Sequence, residues 1–119
     1  MTPEQRHFSR IRFQGSAALL IGDDEYACTV CDLSLKGALV AASLPAVPPL
    51  GERCLLELRL DDEATVRMEG DIAHTEDGHI GLVCRDIDLD SITHLRRLLE
   101  LNLGDAGLLH REFASLIGA

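Results

Sequence analysis

Six short β-type runs, each closed by a turn signal, constrain this chain more than any other feature. They cover residues 16–21, 26–33, 37–42, 55–60, 65–75 and 80–84. Gly22-Asp23-Asp24-Glu25, the prolines at 45, 48 and 49, and Asp61-Asp62-Glu63 separate them, since such residues favour turns over ladders. Asp77-Gly78 is a hairpin signal, because a two-residue turn needs positive φ at both central positions. Leu56, Leu58 and Leu60 alternate with Glu57 and Arg59, the pattern of a half-buried strand. Gly70 is expected to bend or bulge the long run. Short strands at this spacing predict an antiparallel barrel or sandwich, and 119 residues predict one domain.

The period then changes. Ile92, Leu95, Leu98, Leu99 and Asn102 fall at helical spacing, with Asp90 or Ser91 as N-cap and Gly104 as the stop. A second, shorter helix is expected from 105 or 106 to 117, its apolar face formed by Leu109, Phe113, Leu116 and Ile117. Leu108, Leu109 and Leu116 could pair with a second copy. Aromatic residues make up 3% of the chain, so the core must be aliphatic.

A net charge of −9 argues against a nucleic-acid polymer and against anionic membranes as partners. The charge is uneven: Arg6, Arg10 and Arg12 lie close together near the N-terminus, opposed there only by Glu4. This stretch, through Phe13, reads as an unpacked arm, and a cationic arm on an acidic body suits a small anion. No apolar run approaches membrane-spanning length and the N-terminus lacks an apolar signal core. A cytoplasmic location with reduced cysteines is therefore expected.

Two motifs carry chemistry. Arg6-His7-Phe8-Ser9-Arg10 sets two arginines four apart, and Asp32-Leu33-Ser34-Leu35-Lys36-Gly37 falls at the turn between two expected strands. In this order and separation they resemble the RxxxR and [D/N]xSxxG motifs of the PilZ domain family. The resemblance extends to the run 66–73, to Ile80-Gly81-Leu82-Val83-Cys84 and to the Leu-rich segment after it. It implies a mainly β fold, a six-stranded antiparallel β-barrel with one or two C-terminal helices. The arm would occupy 1–13, the barrel 14–89 and the helices 90–119.

The resemblance also implies a non-catalytic receptor for cyclic di-GMP, with Arg6, Arg10, Asp32, Ser34 and Gly37 at the ligand. Ligand chemistry agrees. A guanidinium fork matches both the O6/N7 edge of guanine and a phosphate. Asp32 can accept N–H donors from the other guanine edge, Ser34 can donate to phosphate, and Gly37 allows close backbone approach. His7 and His74 are weaker candidates; His74 stands where many family members carry Trp. Gln5, just before the first arginine, bears on whether one ligand or a stacked pair binds, and both remain open. The expected mechanism is an arm that folds over the ligand and signals to a downstream protein partner in trans. The alternative is a PilZ-fold interaction module that binds no nucleotide.

Competing chemistries are weaker. Cys28-Thr29-Val30-Cys31 is a CxxC, but it sits in an expected strand rather than at a helix N-terminus, and residues three apart in a strand point to opposite faces. Cys54 and Cys84 are isolated, so buried structural cysteines are expected and no metal. Asp86, Asp88 and Asp90 begin like a calcium loop, but Ser91 and Arg97 stand where such a loop needs Gly and Glu. No nucleophile–base pair or phosphate-binding loop is present, and no cofactor is implied.

Overall fold

The computed structural model describes residues 11–103 and 111–112, Arg12 by its backbone alone. Six strands form β1 (Ile11–Ile21), β2 (Asp24–Ser34), β3 (Gly37–Ala41), β4 (Arg53–Arg59), β5 (Thr65–Glu76) and β6 (His79–Ile87), followed by α1 (Leu89–Leu103). The sheet closes as a barrel in the order β1-β2-β3-β6-β5-β4, with every pairing antiparallel. Closure removes the sheet edges that would otherwise offer unpaired backbone groups.

Alternation fills the interior. Leu19, Val30, Leu33, Val40, Leu56, Leu58, Met68 and Ile72 point inward and are fully buried, as are Leu95 and Leu99 of α1. Cys28, Cys54 and Cys84 complete this aliphatic core. β4 is short and pairs with β1 only over Ala17–Leu20. Helix α1 contacts both strands that border it, mainly β5 and to a lesser extent β1.

Asp77 and Gly78 have φ of 48° and 79°, the two positive values that the tight β5–β6 hairpin requires. Near Gly70 the β5–β6 register shifts, with Glu69 opposite Asp86 and Gly70 opposite Cys84. The extra residue is thus Arg85 on the partner strand. Gly70 itself serves close approach, since a Cβ there would collide with the Val83 carbonyl.

Two sequence expectations need correction. β1 begins at Ile11, not near residue 16, and Ile11 is buried opposite Leu33. Residues 11–13 therefore belong to the barrel; the cationic neighbours masked the alternation of Ile11 and Phe13. The helix cap is Asp88, not Asp90 or Ser91. Its Oδ2 accepts the Ser91 N–H at 3.0 Å and its Oδ1 the Ser91 hydroxyl at 2.7 Å. The Ser91 hydroxyl also accepts the Arg67 N–H at 2.9 Å, so the cap ties α1 to β5. These two hydrogen bonds from Ser91 hold the Asp88 carboxyl below its usual pKa. The expected second helix lies outside the described residues except for Arg111 and Glu112, which are helical. The Leu108/Leu109/Leu116 face lies outside them too.

Candidate functional site

The β2–β3 turn is built around Ser34. Ser34 and Gly37 face each other across the strand pair, leaving Leu35 and Lys36 as the turn. The Ser34 Oγ accepts the Lys36 N–H at 3.2 Å and donates to the Gly37 carbonyl at 3.4 Å. The second of these is long for a hydroxyl donor and correspondingly weak. The Lys36 carbonyl accepts the Cys84 N–H at 2.7 Å, which fastens the turn to β6. Gly37 has no room for a side chain, because a Cβ would collide with the Leu82 carbonyl. Leu35 is fully buried in the core. The sequence reading passed over it; its only signal was an apolar residue in a tight turn.

Asp32 is brought out by a bulge. Val30 pairs with Val40 and Asp32 with Leu39, so Cys31 is the extra residue. The register then runs across four strands, Asp32–Leu39–Gly81–His74, and the Arg12 backbone pairs with Asp32 on β1. Residues directly opposite one another share a face, and here it is the outer face, with Asp32 half-buried and His74 exposed. The Asp32 carboxylate has no hydrogen bond or ion pair to any side chain the structure describes. Gly81 leaves a bare step between Leu39 and His74, and a Cβ on it would press on the His74 Cβ at 3.2 Å. His74 Nε2 stands 3.8 Å from Glu76 Oε2. Arg6, His7 and Arg10 lie outside the described residues. In the chain, Arg10 directly precedes Ile11, whose partner Leu33 lies between Asp32 and Ser34.

An ion network missed by the sequence reading borders this row. Arg53 holds Glu69 at 2.6 Å and Asp71 at 2.9 Å, and Arg85 holds Asp71 at 2.7 Å. The Arg85 guanidinium first, and Arg53 with it, keep the Asp71 carboxyl below its usual pKa. No sequence motif announces this cluster, because the register and the bulge at Arg85 create it.

The cysteines are poor redox candidates. Burial pushes the Cys28 and Cys54 thiols up to about 11 and raises Cys84 as well. Cys31 is half-buried, which corrects the expectation that all four are buried; three residues after the inward Cys28, strand alternation already places it on the outer face. Residues three apart in a strand are roughly 10 Å apart, beyond the Cα separation a disulfide tolerates. The calcium reading gives way to the cap, which occupies Asp88.

Comparison with known structures fits this architecture. A PilZ domain from the CeSA protein of a cellulose-synthesizing bacterium superposes with a TM-score of 0.63 at 20% identity, covering 81% of this chain and 96% of that one. The PilZ domain of YcgR from Escherichia coli, solved with c-di-GMP, gives 0.64 at 16% identity, covering 95% and 97%. The Bacillus subtilis inhibitor of motility MotI/DgrA gives 0.69 at 16% identity, covering 84% of this chain and 52% of that one. At these identities the likeness establishes the fold. The family model described as the PilZ domain matches residues 4–101, and the chain belongs to the PilZ domain family.

Proposed function

We propose that this domain is a non-catalytic receptor for cyclic di-GMP, gripped between Arg6 and Arg10 and the outer face of the barrel. Members of this family typically bind that ligand. The observation that carries the reading for this chain is the cross-strand row. Asp32 presents an acceptor with no partner among the described side chains, on the same face as the exposed His74 ring, with Leu39 and the bare Gly81 step between. A flat base can lie on that step against the imidazole while Asp32 accepts from guanine N–H groups. Chain connectivity supports the arm's part, since Arg10 immediately precedes the strand that pairs with the second motif. Ser34 can donate to phosphate only by giving up its bond to the Gly37 carbonyl, and the length of that bond makes the exchange cheap. Closure of the arm over the ligand would then present a new surface to a protein partner.

Calorimetric titration of cyclic di-GMP into the wild type and into Arg6→Ala/Arg10→Ala tests this. Each lost charge-assisted bond costs roughly 1.5–3 kcal/mol, so the double variant should bind at least about a hundredfold more weakly. Asp32→Ala should weaken binding by roughly tenfold or more on the same basis. The absence of binding to a folded wild type would overturn the reading in favour of an interaction module that takes no nucleotide.

A further inference from the structure

The strand directions put three connections at one end of the barrel: the β1–β2 turn at 22–23, the β3–β4 loop at 42–52 and the β5–β6 turn at 77–78. The other end holds the buried Leu35 and lies on the side of helix α1. Beside the β3–β4 loop the first end has an open hollow of about 410 Å³, lined by Ala42, Leu44, Ala46, Val47, Pro48 and Ile80 among others. Val47 is 77% exposed and Leu50 66%. These are among the most exposed large apolar residues described; Val47 lines the hollow and Leu50 follows it on the same loop. Exposed apolar residues gathered at a concavity mark an interaction surface better than scattered ones do.

The charge around the hollow is of one sign. Glu76 and Asp77 line it, beside His79, and Asp23, Asp24 and Glu25 are exposed at the β1–β2 connection of the same end. Among the described residues there, Arg53 is the only Lys or Arg, and Glu69 and Asp71 already engage it. The loop that carries the apolar residues is anchored: the Ala42 N–H donates to the Gly78 carbonyl at 3.0 Å, and Gly51 and Glu52 pair with Ile72. An anchored apolar hollow with an anionic rim complements an apolar anchor flanked by cations.

We propose that this end of the barrel is a docking site for a basic, amphipathic segment of a partner protein. Apolar side chains of the segment seat against Val47 and Leu50, and its lysines or arginines face Glu76, Asp77 and the acids of the β1–β2 turn. The Ser34–Gly37 turn lies at the opposite end, and the surface meets the Asp32 row only at its far edge, where His74 stands 3.8 Å from Glu76; the peptide test is run without cyclic di-GMP and so does not depend on the ligand reading.

The test is fluorescence anisotropy with a labelled amphipathic peptide of leucine and lysine, and with a counterpart carrying glutamate in place of lysine. The wild type should bind the lysine peptide and not the glutamate peptide. Val47→Asp/Leu50→Asp should weaken lysine-peptide binding roughly tenfold or more, although it makes the protein more acidic, because apolar burial is lost. Both side chains are exposed, so the thermal midpoint should stay near that of the wild type. Unchanged or tighter binding by the variant would mean that charge alone attracts the peptide and would overturn the proposal. So would failure of the wild type to bind. Sedimentation that shows a wild-type dimer abolished by the same variant would assign the surface to a second copy instead.

Discussion

The two ends of the barrel solve turn formation differently. At the end that carries the Asp32 motif, the β2–β3 turn buries Leu35, fills both hydrogen-bonding roles of the Ser34 hydroxyl and presses Gly37 against β6. At the opposite end, the β3–β4 loop leaves Val47 and Leu50 in water, and Gly22 turns with φ of 62° and nothing near it. The motif residues therefore serve the fold before any ligand arrives, whereas the loop residues contribute little to stability and are free for recognition. A variant in the motif can loosen the barrel by itself, so its stability has to be measured in any test of the proposed binding.

The sharpest way to break this contrast is truncation at each end. Leu35→Ala removes a fully buried side chain and should cost about 3 kcal/mol, while Val47→Ala should stay within about 0.5 kcal/mol. Urea denaturation midpoints read both, and equal costs would erase the distinction. The glycines sharpen it. Gly37→Ala forces β6 away and should cost about 2 kcal/mol, against about 1 kcal/mol for Gly22→Ala, where only the left-handed backbone resists a side chain. A smaller loss at Gly37 than at Gly22 would mean that the β3–β6 contact yields easily.

The smallest effect concerns the helix cap. Asp88→Ala should cost about 1 kcal/mol near neutral pH. The folded-state pKa of Asp88 lies below its ordinary value of 3.8, so its stabilisation is full above that value and is lost as pH falls through the folded pKa. The stability gap between wild type and variant should therefore narrow below about pH 4. A gap that held constant down to strongly acid pH would show that the cap acts without its charge.

The amino-acid sequence by itself determined the six strands, the Asp77–Gly78 hairpin, the aliphatic core and α1, because alternation, turn residues and helical spacing are local signals. It also yielded both motifs of the proposed site, since their residue types and order stand in the chain. Tertiary structure alone decided which residues share a face. Single extra residues at Cys31, Ala73 and Arg85 reset the register, and one such residue decides whether a side chain points into the core or out of it. That is how Asp32, Gly81 and His74 come into one row and how Arg53, Asp71 and Arg85 come together. The acidic apolar end was equally hidden, because it gathers three connections far apart in the chain that only closure of the barrel brings together.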